Sequence, residues 1–159
     1  MAKGLKQHQR APLNSVAKKT ARQRVVKRLD DVTSKYIRER DALCVQCKSQ
    51  ENLTNGHVFS RRSYSTRWDI SKDGNCHCQC WGCNFRHSKD NYDYFKWYID
   101  RFSNEEFDNL RFRYKETKKY TTAELEELYE EITTAYKELV NENEVTKQGK
   151  DNRVTRCHP

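Results

Sequence analysis

The sequence predicts an α+β chain, mostly helical, in which a metal-stapled core of short strands and a helix is flanked by N- and C-terminal helices. Apolar residues recur at helical spacing near both ends of the chain, and that period disappears between Cys44 and Cys83. Two Cys-x-x-Cys pairs bracket the aperiodic stretch.

At 159 residues the chain is about one domain long. With 35% hydrophobic and 34% charged residues, any core is small and calls for a staple. No stretch approaches the roughly 20 apolar residues of a membrane span, so no membrane partner is expected. The basic, polar start lacks the apolar run of a secretory signal. The expected location is therefore the cytoplasm, a reducing compartment where paired cysteines read as metal ligands rather than disulfides.

The net charge of +8 points to a polyanionic partner. From Lys3 to Arg28 every acidic or basic residue is basic, whereas the C-terminal third is rich in Glu. A basic arm on a cysteine-rich body suits nucleic acid, because phosphate contacts supply most non-specific affinity. A solvated tail accounts for the same charge run without a partner.

Residues 1–14, with Pro12, read as a flexible basic arm, and 15–42 as a basic helix. Val25, Leu29, Val32 and Tyr36 line one face of that helix, widened by Val26 and Ile37. In the core, 43–100, Gly56, Gly74 and Gly82 among Asn, Ser and Asp indicate short strands and turns. Cys76, Cys78 and Cys80 alternate as along a strand, with His77 on the opposite face. Cys76 and Cys78 read as small buried side chains. Helical period returns after Asn84, with Phe95, Tyr98, Ile99 and Phe102 on one stripe. Segment 101–140 holds two capping boxes, Ser103-x-x-Glu106 and Thr121-x-x-Glu124. The second opens a helix with Leu125, Leu128, Ile132 and Leu139 on its apolar face. Residues 141–159 are polar and aperiodic and read as a tail, in which Cys157-His158 is incidental.

Cys44-Val45-Gln46-Cys47 and Cys80-Trp81-Gly82-Cys83 each point two thiolates at one ion, and together they complete tetrahedral zinc, one per chain. Gly82 is expected to relax the tight second turn. A redox site would need only one such pair. His57 follows the first pair and Asn84 directly follows the second. A neutral histidine takes a proton from water near pH 7, and an Asn carbonyl can be the one direct protein ligand of a hard cation such as Mg²⁺. Taken singly, His57 reads as a satisfied half-buried histidine and Asn84 as a helix N-cap. Their joint placement around the cysteine pairs favours hydrolysis of a phosphodiester.

The chain also resembles the lambda NinG (Rap) family of phage recombination nucleases, ββα-metal enzymes grouped with endonuclease VII. The resemblance runs from Tyr36-Ile37-Arg38-Glu39-Arg40-Asp41 to about Leu139. It rests on Cys44–Cys47, Gly56-His57, Ser60-Arg61, Thr66-Arg67-Trp68-Asp69, and Asn75-Cys76-His77-Cys78-Gln79-Cys80 leading into Cys83-Asn84. Asn91-Tyr92 matches the family's Gly-Asn-Tyr, with Asp90 in place of the glycine. The resemblance implies a zinc-bound ββα-metal (HNH-like) core and cleavage of branched DNA, including Holliday junctions and D-loops. It implies His57 as base, Asn84 as ligand of Mg²⁺ or Mn²⁺, and location in a host cell's cytoplasm. Gly56 stands where many HNH enzymes carry a second metal ligand, so a one-ligand site fits best. Ser88 stands where some have another His, with His87 one position early.

Arg61, Arg62 and Arg67 lie between the base and the second cysteine pair, and Arg86 and Lys89 lie beyond it; all five are candidate DNA contacts. His77 is expected to orient a neighbour or touch phosphate. Symmetric nicking of a junction calls for a homodimer, through the 122–140 or the N-terminal helix. The competing functions are a nonspecific or homing-type HNH nuclease and a non-catalytic zinc-dependent nucleic-acid-binding protein.

Overall fold

The computed structural model describes residues 19–154, and the side chains of 19–146. The arm expected over 1–14 and the Cys157-His158 pair lie outside the described residues. Helix α1, Ala21–Asp41, opens on a capping box. Thr20 Oγ1 accepts from the Gln23 amide at 3.2 Å, and Gln23 Oε1 accepts from the Thr20 amide at 2.9 Å. It closes at Ala42 in the left-handed region, φ 56°.

Strands β1, Leu53–His57, and β2, Cys76–Cys80, pair antiparallel, with Leu53 opposite Cys80 and His57 opposite Cys76. Helix α2, Trp81–His87, leaves β2 with no intervening residue. Gly56 is required in this hairpin, because a Cβ there would lie 2.0 Å from Oε1 of Gln79. Beyond His57 a side chain continues the ladder. Buried Asn75 accepts from the Phe59 amide at 2.7 Å and donates to the Phe59 carbonyl at 3.0 Å.

Helices α3, Tyr92–Arg101, α4, Asn104–Lys115, and α5, Thr122–Val154, complete the chain. Both expected N-termini open helices: Thr121 and Glu124 form the full capping box, Thr121 Oγ1 accepting from Glu124 N–H and Glu124 Oε2 from Thr121 N–H, whereas at Ser103 only the Oγ bond from Glu106 N–H forms. The polar stretch expected as a tail from 141 instead continues α5 to Val154. Glu, Lys, Gln and Arg propagate a helix without needing an apolar face, so periodicity gives no sign of it. Asn143 even reaches back to α1, donating to Glu39 at 2.8 Å.

Burial is divided among three small clusters. Val25, Leu29 and Val32 of α1 pack with Leu125 and Ile132 of α5 and with Trp68. The two helices considered as dimer surfaces thus cover each other. Val58 joins Tyr94, Tyr98 and Leu110 of α3 and α4, and Ile37 joins Cys76 and Cys78 of β2. The hairpin is therefore held between α1 and the α3–α4 pair, with little apolar area of its own.

Candidate functional site

The four cysteines of the two pairs converge, with all Sγ atoms within 4.8 Å of one another. Tetrahedral zinc at about 2.3 Å per bond needs sulfurs roughly 3.8 Å apart. Cys47 and Cys80 lie at 3.6 Å, so the set fits zinc. The thiols crowd each other electrostatically. Burial and hydrogen bonds among the thiols push Cys83 up to about 12. Burial also raises Cys44, but the backbone N–H groups of Cys47, Cys80 and Gln46 bring it down to about 7. A dication relieves this repulsion.

The knuckle's unusual backbone lies at Lys48 and Asn52, with φ of 65° and 49°. Gly82, expected to serve that purpose, sits in α2 without positive φ. Cys80 is the N-cap of α2 and accepts from the Cys83 amide at 3.5 Å. Asn84 is thus not a cap but lies inside the helix, one residue past the last cysteine.

His57 ends β1. Its Nε2 lies 3.1 Å from the carbonyl oxygen of Arg67. A carbonyl only accepts, so Nε2 carries the proton and Nδ1 holds the lone pair, with no partner among the described residues. Burial, with help from the charge of Arg61, lowers the imidazole to about 4 against the bond to Arg67, leaving it neutral at pH 7.

Asn84 is oriented by the same logic. Thr54 gives its hydroxyl proton to the Gln79 carbonyl at 2.9 Å and so must accept from Asn84 Nδ2 at 3.0 Å. Oδ1 of Asn84 is left as the free acceptor. Both side chains line one cleft of about 750 Å³, with Asn55, His87, Arg61 and Arg62. Asn55 contributes a buried Oδ1 without a hydrogen-bond partner among the described residues. Asn84 Oδ1 is an oxygen of the kind a hard cation takes as ligand.

The candidate basic residues divide. Arg61 and Arg62 are exposed at the cleft. Arg67, expected at DNA, instead donates to Asp30 of α1 from Nε and Nη2 and to the Arg61 carbonyl from Nη1 at 3.1 Å. Burial raises Asp30, but Arg67 and Trp68 more than offset that, holding its carboxyl below the ordinary value. Arg86, also expected at DNA, turns back to Cys83 Sγ at 3.1 Å, where positive charge offsets thiolate. Lys89 stays exposed. His77 is enclosed by Trp97, Tyr98 and Phe102 and faces the Gly74 carbonyl at 2.9 Å, so it reaches no phosphate. His87 meets the His57 carbonyl at 3.0 Å and ties α2 to the end of β1.

A family model described as Bacteriophage Lambda NinG protein matches residues 2–143. This chain belongs to the NinG family. No match is found among curated proteins or among solved structures. The NinG match takes in both cysteine pairs, the cleft and α5 as far as Asn143. No helix of the described residues is long and apolar enough to cross a membrane.

Three positions in this NinG chain escaped sequence reasoning. Thr54 orients Asn84, the Arg67 carbonyl orients His57, and Asp30 fixes the loop that carries Arg67. Thr54 lies two residues before the Gly56-His57 pair that flagged the histidine. A backbone carbonyl leaves no residue-type signal at all.

Proposed function

We propose that this NinG-family chain is a DNA endonuclease of the ββα-metal (HNH) type that nicks branched DNA in phage recombination. One observation carries the reading: independent hydrogen bonds leave the Nδ1 of His57 and the Oδ1 of Asn84 free, and both residues line one cleft. The antiparallel hairpin running directly into α2 supports it as the ββα unit.

In this mechanism His57 takes the proton of the attacking water at Nδ1, while its Nε2–H stays on the Arg67 carbonyl and keeps the ring aligned. Arg61 and Arg62 hold the phosphate at the rim of the cleft. Asn84 would hold Mg²⁺ or Mn²⁺. When bound, that cation supplies electrostatic stabilisation of the charge that develops on the phosphate and leaving oxygen. The cysteine site is structural and clamps the loop before β1 to the first turn of α2. Arg67 and Arg86 are assigned to holding the fold and Lys89 to DNA. Two symmetric nicks in a junction call for two copies acting together.

The test is nicking of a four-way junction and of linear duplex of the same sequence, with and without Mg²⁺. Mg²⁺-dependent nicking that favours the junction is expected. Equal cutting of both substrates would assign a nonspecific HNH nuclease, and binding without cutting a non-catalytic module.

A further inference from the structure

The geometry points to Trp81 and Phe85 as a stacking platform for unpaired bases next to the cleft, making the chain a reader of single-stranded DNA at a branch. This rests on the nuclease reading for its consequence, though not for the binding itself. Trp81 is 62% exposed and Phe85 50%. Their rings stack on each other, centroids 5.2 Å apart and planes within 12°. About half or more of each side chain's apolar surface is therefore left facing solvent.

Placement argues for a base as occupant. At about 100° per residue, Asn84, Trp81 and Phe85 follow one another around the surface of α2, and Lys89 lies just beyond the helix's C-cap Ser88. Lys89 Nζ lies 5.5 Å from the Phe85 ring. No acidic residue occurs from Trp81 to Lys89. On its other side Trp81 borders a shallow pocket with Asn52, Leu53 and Thr54, and Thr54 is the residue that orients Asn84. An aromatic face beside a positive charge and the cleft lined by Arg61 and Arg62 matches an unpaired nucleotide, whose base stacks while its backbone is neutralised. A second protein copy suits it less. Two aromatic side chains bring roughly 150–250 Å² each, short of the ~800 Å² per partner of a stable interface.

The test uses the full chain with a duplex bearing a single-stranded flap and with blunt duplex of the same sequence. Trp68 is buried, Trp97 partly so, and Trp81 is the exposed tryptophan, so quenching by the flap reports on Trp81. Wild type is expected to bind the flap more tightly than blunt duplex, with quenched emission. Trp81→Leu/Phe85→Leu is expected to lose at least about 10-fold in flap affinity and to match wild type on blunt duplex. Trp81→Phe/Phe85→Tyr is expected to restore the preference. Undiminished flap preference in the Leu pair, or equal losses on both DNAs, would overturn the proposal. A change in sedimentation without a change in DNA preference would assign the face to self-association and also overturn it. His57→Ala separates the two readings: it should keep the flap preference even where cutting is lost. Platform-dependent binding by a wild type that cuts no DNA would sink the nuclease reading alone.

Discussion

Arg67 donates to the carboxylate of Asp30 from Nε at 2.9 Å and from Nη2 at 2.7 Å, so α1 grips the loop whose carbonyl faces His57. Trp68 Nε1 adds a third donor to the same carboxylate at 2.8 Å. Asp30→Asn removes the negative charge and one of the two acceptor oxygens that hold a partly buried guanidinium, and so loosens the loop. For Asp30→Asn we expect a stability loss of about 1–3 kcal/mol in urea unfolding, from the charge-assisted bonds. Turnover should fall with little change in KM for DNA, because the residue acts by positioning His57.

Thr54 offers a milder test of the same kind. Its hydroxyl holds Asn84 Nδ2 and so leaves Oδ1 as the amide's free acceptor in a residue that lines the cleft. Thr54→Val keeps the shape and removes the acceptor, so the amide can rotate. The Mg²⁺ concentration for half-maximal nicking should rise by about 10–100-fold, with zinc content unchanged.

His57 and His77 both titrate near 4 in the fold, chiefly through burial. In the unfolded chain they titrate near 6.5, so the unfolded state binds protons first as pH falls. Their contribution to stability is fully present above about pH 6.5 and is lost as pH falls through about 4. The slope is at most about 1.4 kcal/mol per pH unit for each group. Urea midpoints at pH 7, 5.5 and 4.5 should decline in that order. If the proposed nuclease reading holds, the acid limb of kcat/KM governed by His57 should lie well below pH 6. A limb centred at 6.5 would mean an imidazole in free contact with water.

The four-thiol site replaces an apolar core that the hairpin lacks. Zinc removal by a strong chelator should melt β1, β2 and α2 while α1 and α5, which bury their own cluster, keep helical signal. Near-ultraviolet dichroism and hydrogen exchange separate the two parts. Full cooperative unfolding of α1 and α5 together with the hairpin would contradict that division.

The helices were legible because their signals are local: apolar spacing in α1, and Ser103 and Thr121 three residues before a Glu. The cysteine cluster was legible because a tetrahedral metal site imposes both residue type and spacing, and the four Sγ atoms do converge. Arginine roles were not, since a guanidinium's partner can lie far away in sequence. Asp30 claims Arg67, and Cys83 claims Arg86. The end of α5 carries no apolar stripe, and the strain expected at Gly82 falls at Lys48 and Asn52. For the arginines the determinant was a tertiary contact, for the knuckle a backbone angle, and for the end of α5 a helix propensity that leaves no apolar period.

The base assignment is tested most directly by single-turnover nicking of a four-way junction in Mg²⁺ by His57→Ala beside wild type, with zinc content and DNA affinity matched. The variant is expected to cut at least about 10²-fold more slowly. Equal rates from the two proteins would contradict the account.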